Sequence, residues 1–255
     1  MSCAHRWLLM AVMLGLTGCQ AQPAPTASPE LEVYRVGVTP AFARQVEAWA
    51  GDFQAERAEA SIWIEELPVE AGLEALEDGS LELLITARPP SEEMFAAALA
   101  EEPLAVVLGP GTTRRDFDLD TLREIFSGAA QNWSTLGGQD LVIQPVIPLR
   151  GDEIREVFAS EVMKGLAFSS HSLLAPTPEA ALELLGEAHG AIGLVPYNQV
   201  PPGAAVARLR VPGSAPIGPE DPSYPLRLTL LAIGPSPPSG LLYDWLAWIQ
   251  ATQSD

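Results

Sequence analysis

The sequence predicts an α/β fold built from two successive runs of βα units, and three observations carry the prediction. From Leu31 onward the apolar residues switch repeatedly between the two-residue period of a strand and the 3.6-residue period of a helix. Strands alternating with helices in this way imply βα units on a largely parallel sheet. The two runs are separated by connectors rich in Pro and Gly, and 47% of the 255 residues are hydrophobic, ample material for a core.

In the first run, residues 31–38 read as a strand, β-branched and free of breakers. Pro40 stands where a helix would begin, since its missing N–H costs nothing there. Phe42, Val46, Trp49 and Phe53 follow at helical spacing. A second strand is expected at 61–65 and a short helix at 70–76, ended by Asp78 and Gly79. A third strand is expected at 81–86, a helix capped by Ser91 at 91–99, and a fourth strand at 104–108.

The second run repeats the grammar. Asp118 opens a helix that continues to Phe126, residues 141–147 form a strand, and 152–163 a helix with Ile154, Val157, Phe158 and Val162 on one face. A helix at 178–186 and a buried strand at 191–195 follow. Residues 211–223 make a long Pro- and Gly-rich connector before a strand at 226–233 and a terminal helix at 241–249 with Trp245 and Trp248. Trp133 and the aromatic helix faces read as core, and no internal repeat is present.

The N-terminus carries a different signal. An apolar run over 7–16 follows His5 and Arg6. It is too short to span a bilayer, which needs ~20 apolar residues, and has the length of a secretory h-region. It ends in Leu16-Thr17-Gly18-Cys19, which resembles the bacterial lipobox, whose cysteine is diacylated and becomes the first residue. The other reading is an ordinary signal peptide with a chance cysteine. The lipobox reading gives a signal peptide over 1–18, a lipid on Cys19 and a flexible Pro-rich stalk over 19–30. The mature protein is then extracytoplasmic and tethered to a membrane by lipid, with its body in water. Cys3 leaves with the signal and Cys19 is acylated, so no disulfide forms within the chain. The formal net charge is −19, with Lys164 the only lysine. That balance argues against nucleic acid or anionic lipid surfaces as partners.

Several segments resemble the phosphate-binding lipoproteins of bacterial ABC importers. Residues 122–138, LREIFSGAAQNWSTLGG, carry that family's IFSG, NW and LGG elements almost residue for residue. Residues 79–88 (GSLELLITAR), 189–197 (HGAIGLVPY) and 224–233 (YPLRLTLLAI) are similar to three of its strands, in the right order. The resemblance implies a two-lobe, periplasmic-binding-protein-like (type 2) fold with two crossover strands and a central ligand cleft. Lobe 1 would take 31–108 and 224–255, and lobe 2, with the connector, 109–223. It also implies a monomer that closes on a small solute, an oxyanion by class, and presents it to an ABC permease.

Three places could line the cleft, where ligands of such sheets sit beyond the carboxyl ends of strands. Thr39 lies between the first strand and first helix, and could hold an oxyanion or cap the helix. Arg88 ends the third strand at a position the family often fills with a ligand-facing Arg; a surface ion pair with Glu92 is the other reading. Residues 150–155, RGDEIR, stand where the family writes an Arg and then G-S-G-T-R before a helix. Gly151 alone is kept. Asp152, Glu153 and Ile154 replace Ser, Gly and Thr, and the upstream Arg falls on Pro148 unless a two-residue deletion brings Arg150 into its role. Arg155 keeps the family's Arg. The alternative for Asp152 is a helix N-cap, with Glu153 exposed in the first turn.

The loop 65–71 departs too. It has three acids and no Gly until Gly72, where the family has free backbone N–H groups. These changes predict an eroded anion site. No hydrolase, zincin, P-loop or dinucleotide motif is present, so no catalytic residue, cofactor or metal is expected. The reading is a solute-binding protein rather than an enzyme. The alternative is a binding fold turned sensor or protein-docking module.

Overall fold

The computed structural model describes residues 33–91 and 93–253. The signal segment, Cys19 and the stalk lie outside the described residues. In chain order the first elements are β1 (Val33–Val38), α1 (Ala43–Glu56), β2 (Ser61–Glu66), α2 (Val69–Glu77), β3 (Leu83–Thr86) and β4 (Phe95–Leu108). Then come β5 (Asp116–Phe117), α3 (Leu119–Ser127), β6 (Gln144–Pro148), α4 (Glu153–Phe158), β7 (Leu173–Ala175), α5 (Pro178–Glu187) and β8 (Ala191–Pro196). The chain closes with β9 (Ala205–Val206), β10 (Arg208–Leu209), β11 (Arg227–Gly234) and α6 (Gly240–Thr252).

One nine-stranded sheet runs β2-β1-β3-β11-β4-β8-β6-β7, with β9 also on β4, and β5 and β10 form a separate pair. The arrangement is the two-lobe α/β architecture expected from the sequence. β1 is parallel to β2 and β3, and β6 is parallel to β7 and β8. Between these parallel sets, β4 and β11 run antiparallel over Phe95–Pro103. β4 changes partner at Leu104, where pairing with β8 begins. The two lobes therefore share one backbone path through β4. Tyr224 and Leu226 tie the return to it: the Tyr224 hydroxyl donates to Leu104 O at 3.1 Å and Leu104 N–H donates to Leu226 O at 2.8 Å.

The helical stripe on α1 is buried as its spacing requires, with Phe42, Val46, Trp49 and Phe53 all in the core. Trp49 and Phe53 join Trp245 and Ile249 of α6 in that same cluster. α4 continues as a π-helix over Ala159–Met163, and Ile154, Phe158 and Val162 are buried.

The expected helix over 91–99 is a correction. From Phe95 the chain is strand, paired with Leu230–Gly234 of β11 apart from a register shift that leaves Leu99 unpaired. Alanine-rich FAAALA favours a helix in isolation. A long strand whose N–H and C=O groups complete the ladder overrides that preference, because a helix there would leave the β11 edge unpaired.

The IFSG…NW…LGG segment proves to be structural punctuation. Gly128 and Gly137 end their helical turns with φ of +81° and +78°, a region that favours glycine. The Asn132 side chain accepts the Ser134 N–H at 2.9 Å, opening the short turn that carries Trp133. Trp133 is buried against Phe117, and its indole N–H donates to Gly190 O at 3.0 Å.

Candidate functional site

Ligand sites on sheets of this kind lie beyond the carboxyl ends of parallel strands, where chain turns away and backbone N–H groups are free. Here β1 ends into Thr39 and β3 ends into Ala87 and Arg88, side by side. Thr39 N–H donates to Ile85 O at 3.1 Å, which fixes its backbone to β3. Thr39 and Thr86 are almost wholly buried, with 2% and 0% exposure. Their hydroxyls and the N–H groups of Ala87 and Arg88 converge on one point in the cleft.

That point is occupied by the carboxylate of Glu153, the first residue of α4. Thr39 Oγ1 donates to Glu153 Oε2 at 2.6 Å. Glu153 Oε1 accepts the Ala87 N–H at 2.7 Å, the Arg88 N–H at 3.0 Å and the Thr86 hydroxyl. Glu153 is 4% exposed, which corrects the expectation of an exposed first-turn residue. The physical reason is that a carboxylate buried in a protein must find donors, and the opposing lobe presents four of them. Burial pushes the Glu153 carboxyl pKa up, against the hydrogen bonds from Thr39, Thr86, Ala87 and Arg88 that pull it down.

Asp152 does the capping. Its Oδ1 accepts the N–H groups of Ile154 at 2.9 Å and Arg155 at 3.4 Å, at the N-cap of α4. Gly151, φ +84°, sits in the turn that brings it there, closed by Asp152 N–H donating to Leu149 O at 3.3 Å. The Asp152 pKa is raised to about 6, chiefly by burial and also by the charges of Glu153 and Glu156, against the lowering effect of the two backbone N–H groups.

Thr39 does not cap α1: the N-cap position is Phe42, without a side-chain bond. The Arg88 backbone faces the cradle, whereas its guanidinium bridges Glu70 of α2 at 3.0 Å and Glu156 of α4 at 3.2 Å. Glu92, the partner weighed from the sequence, lies outside the described residues. Arg150 and Gly151 line a cavity of about 290 Å³ with Thr39, Val69, Glu70 and Asp152. Arg150 makes no ion pair among the described residues. Arg155 is placed elsewhere. It donates to Pro148 O at 2.8 Å and lies over the Phe168 ring, 4.6 Å from its centroid. On the other flank of Glu153, a cleft of about 530 Å³ is lined by Arg88, Glu156, Ser160, Tyr224 and Arg227.

The structure thus brings Thr39, Arg150 and Gly151 around the cavity on one flank of Glu153, places Arg88 in the cleft on the other, and leaves Arg155 outside both linings. Sequence reading missed Thr86. The only signal for it was a hydroxyl residue at a strand end, two positions before Arg88. Among the described residues no group of His, Cys, Asp and Glu could hold a metal ion, and no described helix is long and apolar enough to cross a membrane.

A family model for the PBP superfamily domain matches residues 23–252. The chain belongs to that superfamily. This PBP superfamily member is similar to the phosphate-binding protein PstS of Bacillus subtilis, 25% identical over 158 residues. That match covers 59% of the chain and 52% of PstS, so the chain spans about half the length of the curated relative it matches. Its fold is similar to that of a Clostridium perfringens structure titled as a phosphate ABC transporter substrate-binding protein with bound phosphate. The TM-score is 0.75 at 21% identity, covering 87% of this chain and 98% of that one. An ABC-type phosphate transport receptor from Vibrio cholerae matches with a TM-score of 0.66 at 18% identity, covering 87% and 94%.

One pH effect follows for this PBP superfamily member from Asp152. Its folded pKa lies above its unfolded value, so the native state binds the extra proton between pH 3.8 and about 6. Its contribution to stability is greatest below that window and declines as pH rises through it. Urea melts of wild type against Asp152→Asn, which keeps the cap, are expected to show the wild type losing ground from about pH 4 to about pH 6. The difference should be level above pH 7. A difference that grows in the wild type's favour across that window overturns the assignment.

Proposed function

We propose that the chain is an extracytoplasmic, lipid-anchored solute-binding protein of the phosphate-importer type. It takes a small solute, an oxyanion by class, between lobe 1 (31–108 and 224–255) and lobe 2 (109–223), and hands it to an ABC permease as a monomer. The observation that carries this reading is the cradle: two hydroxyls and two backbone N–H groups converging at adjoining strand ends, in the cleft of a fold shared with phosphate receptors. Converging hydroxyl and backbone N–H donors are what an oxyanion requires, and here a carboxylate, itself an oxyanion, already engages them. Thr39, Arg150 and Gly151 on one flank and Arg88 on the other border the solute, and Arg155 supports the turn from behind.

The grip is eroded relative to an open phosphate site. Acids Glu70, Asp152, Glu153 and Glu156 surround the cradle, and Arg88 is neutralised by two of them. A calorimetric screen tests the reading, using the full chain with Cys19→Ser against phosphate, other oxyanions, and neutral and cationic solutes. Binding of an oxyanion in preference to the rest is expected. A neutral or cationic solute bound in the cleft, with no oxyanion bound at millimolar concentration, overturns it.

Anchoring has its own test. Mass spectrometry of the native protein is expected to find an acylated N-terminus at Cys19, and Cys19→Ser is expected to release a soluble form or stall processing. A mature N-terminus elsewhere, without lipid, refutes the anchor.

A further inference from the structure

The occupant of the cradle is the least expected feature of the molecule. Glu153 belongs to α4, which follows β6 in the half of the sheet beyond β4, yet all four of its donors come from the ends of β1 and β3. Thr39 and Glu153 are 114 residues apart in the chain. No carboxylate oxygen of Glu153 is left for solvent to a useful extent, since the residue is 4% exposed. Its two oxygens take the donors much as two oxygens of a bound tetrahedral anion would. We infer that Glu153 is an internal ligand, a carboxylate delivered from lobe 2 into the anion cradle of lobe 1, which competes with free oxyanions for the donors and holds the lobes closed without solute. The inference rests on reading the cradle as the solute site.

Three further contacts agree with a closed, self-occupied cleft. Arg88 spans the same junction from Glu70 to Glu156. Away from the cradle, Asn198 Nδ2 donates to Gln45 Oε1 at 3.0 Å, and Gln199 Nε2 donates to Ala41 O at 2.8 Å. Each of these joins residues following β8 to the α1 side of the molecule. The carboxylate is thus the centre of a set of contacts between lobes, in the place where a solute normally makes the connection. An incoming anion must displace it, and a second negative charge cannot share the space: at about 4 Å two unit charges repel by several kcal/mol at intermediate dielectric.

The test uses the full chain with both of its cysteines replaced by serine and spin labels at Glu47→Cys on α1 and Glu183→Cys on α5, both exposed positions. Glu153→Ala removes the internal ligand and keeps a good helix former. Glu153→Asp keeps the charge but withdraws the carboxylate by one methylene, and serves if the alanine variant folds poorly. The unsubstituted Glu153 chain is expected to give one short, narrow label distance that added anion does not change. Glu153→Ala is expected to lengthen and broaden that distance. Acetate, the deleted group supplied free, should shorten it again, and acetate or phosphate should bind at least tenfold more tightly than to the Glu153 chain. Glu153→Asp should move the distance in the same direction by less.

A Glu153→Ala chain that stays closed without added anion and gains no affinity overturns the inference. So does a Glu153 chain that binds phosphate as tightly as Glu153→Ala, an outcome that leaves the transport reading intact. If instead Glu153→Ala opens and acetate closes it while phosphate binds neither chain, the internal ligand stands and the phosphate-importer reading falls.

Discussion

Phosphate is expected to bind the wild-type chain at neutral pH roughly a hundredfold or more less tightly than a relative whose cradle is open. Each charge-assisted hydrogen bond withheld from the ligand is worth about 1.5–3 kcal/mol, and all four cradle donors are engaged by Glu153. Loss of two or three such bonds already accounts for the factor. The Arg88 guanidinium adds little to offset it, because Glu70 and Glu156 lie within 3.0 and 3.2 Å of it. Arg155 is turned to Pro148 O, which leaves Arg150 as the cation lining the cavity without an ion pair among the described residues. Titration of phosphate side by side with a phosphate-binding relative decides the matter. A sub-micromolar dissociation constant for the wild type, abolished by Arg88→Ala, would mean that phosphate reaches the cradle regardless of Glu153.

Trp133→Ala is expected to destabilise the protein by about 3–5 kcal/mol, the range for deleting a large buried aromatic side chain. Trp133 is 1% exposed, packs edge-on against Phe117 with ring centroids 5.9 Å apart, and donates to Gly190 O at 3.0 Å. Close backbone leaves the cavity little freedom to collapse: a Cβ added at Gly138 would already lie 3.0 Å from Trp133 O. The midpoint of urea denaturation measures the loss. Trp133→Phe should recover most of the packing but not the bond to Gly190. A loss below about 1 kcal/mol for the alanine variant would refute the assignment of Trp133 as a core pillar.

What could be read along the chain was what neighbours in sequence decide. The helical period of α1, the unbroken apolar run of β8, and the helix start at Asp118 are local patterns, and each stands in the structure where its residues place it. Asp152 as the N-cap of α4 belongs with them, since its acceptors and donors lie within three residues. The lipobox is equally local, a statement about residues 16–19 that lies outside the described structure.

The departures arise where distant segments meet. FAAALA became strand because β11, more than a hundred residues later, offers it a ladder. Arg88 was expected at the cleft for its guanidinium, whereas its backbone N–H faces the cradle and the side chain bridges two acids. Thr86 gave almost no signal, because a hydroxyl at a strand end gains meaning only when β1 and α4 approach it.

Glu153 shows the division most plainly. The resemblance legible in the sequence implied that an acid stands where the family's turn has glycine, and that the fold around it is a two-lobe binding fold. Whether that acid faced solvent or filled the site depended on the distance between two lobes. A lone carboxylate at a helix start prefers water, because leaving water uncompensated is costly. Only the closed tertiary structure supplies four donors at once, and that supply makes burial the favourable state for Glu153.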